Sequence, residues 1–112
     1  MTDLKHALLT NRAILSVNGK DAKIFLQGLI SNDINKVTNT QSIYAAFLTP
    51  QGKYLFDFFI FKKNEEFLIE CEKERLDDLL RRLKMFKLRS DVKLCNCSDE
   101  FQVMAIWGRR VA

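Results

Sequence analysis

The sequence predicts an α+β domain in which an antiparallel sheet carries two helices on one face, in the order βαβββαββ. Three observations predict it. Short runs of alternating apolar and polar residues recur along the chain, the period of a strand. Two other segments place apolar residues at i, i+3, i+4 and i+7, the stripe of a helix. Between them, Thr49-Pro50-Gln51-Gly52 joins two strand-like runs as a hairpin turn, with proline pre-setting φ at its second position and glycine suiting its fourth.

The elements follow in order. AILSVNG, residues 13–19, alternates and ends in Asn-Gly, a strand and its turn. In the next run, DAKIFLQGLI, residues Ala22, Phe25, Leu26 and Leu29 share one helix face. Asp21 stands where a helix cap belongs. The polar segment 31–41 reads as a loop with one helical turn, and Asn32-Asp33 suits capping or turn formation. Three strands then occupy 42–48, 53–62 and 66–72, the last two joined by Lys63-Asn64-Glu65.

The run 73–89, KERLDDLLRRLKMFKLR, is the clearest helix. Leu76, Leu79, Leu80 and Leu83 follow its period, continued by Phe86 or Lys87. Its acids lead and its bases trail, which complements the helix dipole, and Asp77–Arg81 and Asp78–Arg82 are spaced to pair. Strands at 92–97 and 101–107 complete the order.

The length of 112 residues suits one domain. A net charge of +4 permits an anionic partner without requiring one. The longest apolar run is far short of the ~20 residues of a spanning helix, so no membrane is expected. The amino-terminal run lacks the apolar centre of a signal peptide. Three cysteines, an odd number, argue against a disulfide framework, and a reducing, cytoplasmic setting is expected.

The strand GKYLFDFFIF, residues 52–61, holds a carboxylate inside the most apolar part of the chain. Alternation puts Tyr54, Phe56, Phe58 and Ile60 on one face and Leu55, Asp57, Phe59 and Phe61 on the other. Helices can cover only one of these faces. The second needs another domain, a second chain or a ligand. A carboxylate there either pairs with a cation or a backbone donor, or lines a pocket where it meets the N–H groups of a flat heterocycle. Ala45 and Ala46 on the preceding strand leave room beside it.

Three motifs together carry a family resemblance. They are G-x-D-A-x-x-F-L-Q-G-L-I-x-N-D from Gly19, L-T-P-Q-G-K from Leu48, and L-K-M-F-K-L-R from Leu83. In them, and over residues 8–107, the chain resembles the YgfZ family of folate-binding, iron–sulfur-linked proteins, relatives of the glycine cleavage T-protein, an aminomethyltransferase. The resemblance implies the amino-terminal, ferredoxin-like element of the T-protein folate-binding fold. It implies a tetrahydrofolate-binding scaffold that supports iron–sulfur cluster assembly or repair and tRNA-modification enzymes, with iron–sulfur proteins as partners. Family members continue into a second domain and a small barrel, and carry a Lys-Gly-Cys motif that residues 1–112 lack, so an amino-terminal piece of a truncated or split protein is expected.

The resemblance further implies that Asp57 faces the folate, with Tyr54 on the same strand and Cys71 after the next as neighbours. The T-protein strand has two adjacent acids where this chain has Phe56 and Asp57. Binding rather than aminomethyl transfer is therefore what carries over, and no catalytic residue is assigned.

Other constellations carry less. Cys95 and Cys97 fall on one side of a strand, but a metal site needs further ligands and buried thiols serve as small apolar groups. The bases Arg81, Arg82, Lys84, Lys87 and Arg89 suit a solvated helix face or an anion. The alternatives to a folate scaffold are an RNA-binding ferredoxin-like module and a structural remnant without ligand. Lys53-Tyr54-Leu55-Phe56-Asp57 lacks the two small residues of the RNA-recognition signature, which argues against nucleic acid. An uncovered second sheet face implies self-association or a companion chain.

Overall fold

A computed structural model describes residues 5–8, 11–49, 51–98 and 104–107, with the backbone alone at 5–8, 54 and 104–107. Among the described residues seven strands and two helices are formed: β1 (Lys5–Leu8), β2 (Arg12–Asn18), α1 (Ala22–Gln27), β3 (Ile43–Leu48), β4 (Tyr54–Lys63), β5 (Glu66–Glu72), α2 (Leu76–Lys87), β6 (Lys93–Asn96) and β7 (Met104–Trp107). Short 3-10 turns occupy Ile34–Lys36 and Lys73–Arg75. Among the described residues no helix is long and apolar enough to cross a membrane.

The α+β class holds: five antiparallel strands in the order β3-β4-β5-β2-β6 carry both helices. The expected chain order needs two corrections. A strand, β1, precedes those the sequence marked. The last strand, β7, leaves the main sheet and pairs antiparallel with β1, Lys5 opposite Trp107 through Leu8 opposite Met104. Four residues are too few to show a period, and the partner lies at the far end of the chain.

The core lies between the sheet and the helices. Ala22, Phe25 and Leu26 of α1 and Leu76, Leu79 and Leu83 of α2 are buried against Leu15, Val17, Ala45, Phe47, Phe56, Phe58, Ile60, Phe67 and Ile69. Burying each of these large side chains contributes roughly 1.5–3 kcal/mol, which is why two short helices suffice to hold the layer.

Turn chemistry fixes the strand ends. The β3–β4 turn closes with Gly52 N–H donating to the Thr49 carbonyl at 2.8 Å, and Gly52 takes φ +82°. Asn64 takes φ +58° in the β4–β5 turn. Gly19 has φ +119°, and a Cβ there would lie 2.3 Å from the Asp91 carbonyl oxygen. Asp21 stands at the start of α1 as expected, yet makes no side-chain cap bond. Its carboxylate instead accepts the Asp91 N–H at 2.8 Å, while its own N–H donates to the Asp91 carbonyl at 3.1 Å. The chain entering β6 is thereby fastened to the chain entering α1.

On α2, Asp78 receives both Arg81 and, at 3.7 Å, Arg82. The spacing-based pair Asp77–Arg81 gives way to Asp78–Arg81, one residue closer along the helix. The free edge of β3 is occupied by the segment after α1. Leu48 N–H donates to the Leu29 carbonyl at 3.1 Å, and Ser31 N–H to the Ala46 carbonyl at 3.0 Å. Ala46 N–H donates to Ser31 Oγ at 2.9 Å, and Asn32 Nδ2 to the Tyr44 carbonyl at 3.0 Å.

Candidate functional site

The face of the sheet away from the helices holds the acid. Alternation along β4 sends Phe56, Phe58 and Ile60 beneath the helices and Asp57, Phe59 and Phe61 to the opposite side. Phe56 and Phe58 are therefore unavailable as a base-stacking platform.

The β3–β4 register sets Ala46 opposite Asp57 and Tyr44 opposite Phe59. The small alanine leaves space over the carboxylate, and the Tyr44 hydroxyl uses that space to donate to Asp57 Oδ2. The Tyr44 and Phe59 rings lie 5.1 Å apart, tilted by 57°. Tyr44 is 52% exposed, whereas Asp57 and Phe59 are half-buried. Further across, Glu70 lies opposite Phe59 and pairs with the Arg12 guanidinium, whose Nη2 also donates to the Glu70 carbonyl at 3.4 Å.

The second face is not wholly uncovered. Ile14, Leu68 and Cys97 are buried in a small cluster of their own, with Phe61 packed against it. The expectation of a bare second face narrows to its β3–β4 end. There the arrangement is an aromatic shelf beside a carboxylate. Such a shelf can take a flat ring on Tyr44 and Phe59. A carboxylate has roughly four acceptor sites, which suits it to the N–H donors of a flat heterocycle.

Of the three residues expected to meet folate, the structure places Asp57 on this open face and Cys71 on the other. Cys71 is 2% exposed in the core beneath the helices. Burial pushes its thiol up to about 11, against the weaker opposing pull of the Arg12 charge. Because the folded value lies above the ordinary 9.0, keeping this thiol protonated adds stability below pH 9. That stability is lost as the pH rises through about 11. Cys95, by contrast, is exposed. At pH 8, iodoacetamide is expected to modify Cys95 first and Cys71 only on unfolding, which mass mapping of a time course checks. Tyr54 begins β4, opposite Leu48 and beyond a register shift after Phe47, and its side chain lies outside the described residues.

Cys95 and Cys97 do not share an environment, since β6 ends at Asn96 and Cys97 turns inward, its Sγ 3.7 Å from the Ile14 carbonyl. Tyr44 is the site residue that sequence reasoning did not single out, whereas Phe59 stands on the Asp57 face as alternation predicts. The signal was present: a hairpin centred on residues 49–52 sets Tyr44 and Ala46 on the same face as Asp57 and Phe59.

Residues 9–112 match the GCVT N-terminal domain family. The chain is 34% identical over 116 residues to the mitochondrial iron–sulfur cluster assembly factor IBA57 homolog of Mycosarcoma maydis, covering 92% of this chain and 29% of that protein. The homolog of the same description from Neurospora crassa is 39% identical over 102 residues, 83% of this chain and 23% of that one. The crystal structure of the glycine cleavage system aminomethyltransferase T from Bartonella henselae has the same fold, with a TM-score of 0.74 at 15% identity, over 92% of this chain and 28% of that one. The chain thus spans less than a third of the length of these relatives. The relatives are described as mitochondrial, which overturns the cytoplasmic setting expected from the cysteine count. The resemblance drawn from the three motifs holds at the level of this broader family: the chain belongs to the GCVT N-terminal domain family.

Proposed function

We propose that the chain is the tetrahydrofolate-facing domain of a mitochondrial iron–sulfur cluster assembly factor of the YgfZ type. The observation that carries this reading is the 34% identity, over 92% of the chain, to a protein described as an iron–sulfur cluster assembly factor. The open face supplies the chemistry. Asp57 accepts N–H groups of the pterin, and Tyr44 and Phe59 support its ring. Tyr54 lies towards the start of the same strand, and Cys71 braces the sheet from beneath. The role is binding, with iron–sulfur proteins as partners and tRNA-modification enzymes among those served. On the same reading, β4-β5-β2-β6 with α1 and α2 is the ferredoxin-like element and β3 an added edge strand.

Amide shifts during titration with 5-formyltetrahydrofolate test the reading. Weak binding is expected from a chain that spans less than a third of its relatives, with shifts centred on Tyr44, Asp57 and Phe59. Asp57→Asn is expected to weaken binding roughly tenfold, the scale of one hydrogen bond to a charged group, with little change in melting temperature. Shifts that are absent at the solubility limit of the folate, or centred elsewhere, would overturn it.

A further inference from the structure

The loop that follows α1 does more than cover the edge of β3. Gln27 is the last residue of α1, and its amide spans that loop. Its Oε1 accepts the Ile34 N–H at 2.8 Å and its Nε2 donates to the Asn32 carbonyl at 3.1 Å. Asn32 is thereby held from behind. Asn32 Oδ1 then accepts the Asp33 N–H at 2.7 Å, which orients the side chain so that Nδ2 reaches the Tyr44 carbonyl. Asp33 finishes the loop by accepting the Asn35 N–H at 2.9 Å.

Tyr44 is the end point of this chain of contacts. It lies on an edge strand and is more than half exposed, with its ring against Phe59. Its backbone needs to be fixed if its hydroxyl is to stay on Asp57. Leu29 and Ser31 bond to Leu48 and Ala46, whereas Asn32 is the side chain in this loop that bonds to Tyr44 itself.

We propose that Gln27 and Asn32 form a clamp that positions Tyr44 against Asp57, so that the end of α1 sets the geometry of the open face. Gln27 and Asn32 are positioning residues: neither touches the shelf. The functional meaning rests on the reading of that face as a ligand site, but the positioning itself does not.

The test reads the carboxyl carbon of Asp57 by NMR in the ligand-free chain. Tyr44→Phe removes the hydroxyl and defines the shift expected when the bond is lost. Asn32→Ala is expected to move the resonance in the same direction by a comparable amount, and to add little in the Tyr44→Phe background. Ser31→Ala, on the same edge but bonded to Ala46, is expected to leave it in place. Should Asn32→Ala fail to fold, Gln27→Ala releases the clamp from the other side and carries the same expectation. An Asp57 resonance that responds to Tyr44→Phe but to neither clamp variant would overturn the proposal, as would an equal response to Ser31→Ala. Titration with 5-formyltetrahydrofolate on the same variants then separates the two claims. Clamp variants that move Asp57 in a chain that binds no folate leave the clamp standing and defeat the folate reading.

Discussion

Replacing Gly19 with alanine is expected to destabilise the chain by about 4 kcal/mol, the sum of a strained backbone and a forced displacement. Gly19 sits at φ +119°, where L-residues are rarely found, and its missing Cβ is the space the Asp91 carbonyl occupies, 2.3 Å away. The obstacle is backbone, so no rotamer change can relieve it. Asp91 is also held by two hydrogen bonds to Asp21, so moving it pulls at the start of α1 and at the approach to β6 together. Domains of this size have a total stability of about 5–15 kcal/mol, so a large part of the margin is at stake. Gly52→Ala is the control. Gly52 has φ +82° but open space around it, so only the backbone cost of about 1–3 kcal/mol applies. Urea denaturation of both variants checks the difference. A Gly19→Ala midpoint no lower than that of Gly52→Ala would show that the Asp91 carbonyl is not fixed where the structure puts it.

Phe47→Ala is expected to cost about 3–5 kcal/mol, the usual range for deleting a buried aromatic ring. Phe47 is fully buried on the helix side of β3. Its ring lies 6.0 Å from that of Phe56, edge to face, and 5.8 Å from that of Phe86 near the end of α2. It therefore ties β3 to β4 and to α2 at once, and no polar bond substitutes for it. The consequence reaches the other face, because β3 is the strand that carries Tyr44. Loss of the ring should broaden the amide signals of Tyr44 and Ala46 as well as lowering the urea midpoint. Phe47→Leu keeps most of the apolar volume and is expected to cost less than about 1.5 kcal/mol. Equal losses for leucine and alanine would mean that aromatic geometry, rather than volume, holds the strand.

Local signals made the hairpins and helices legible. A turn with proline and glycine, an Asn-Gly step and a leucine stripe each declare themselves within a few residues, and β3, β4, β5 and α2 stand close to where those signals put them, whereas α1 ends at Gln27 and Leu29, expected on its stripe, bonds to Leu48 instead. What the sequence did not show depends on distant partners. β2 lies between β5 and β6, and β1 pairs with β7, and no residue of KHAL announces a partner about a hundred positions away. Asp21 looked like a cap because its identity and place suit one; the competing donor belongs to Asp91, in another loop. At the site, Asp57 was conspicuous as a charge among aromatics, but its phenol partner was reachable only by carrying the hairpin register back to Tyr44. Cys71 shows the limit of reasoning by neighbourhood along a strand: one residue of parity separates the open face from the core.

The segment Leu29–Asn32 also decides how this sheet fails. An unpaired strand edge is a template onto which another chain can add. On β3 the Tyr44 and Ala46 carbonyls and the Ala46 and Leu48 N–H groups are already bonded to the chain's own loop. The other edge, β6, is only four residues long and carries Lys93, both of which blunt templating. Fibrillar growth from β3 therefore first requires this loop to detach, and the barrier to aggregation is the free energy of that local opening rather than of global unfolding. Variants that weaken the loop should convert to β-rich aggregates while the rest of the domain is still folded.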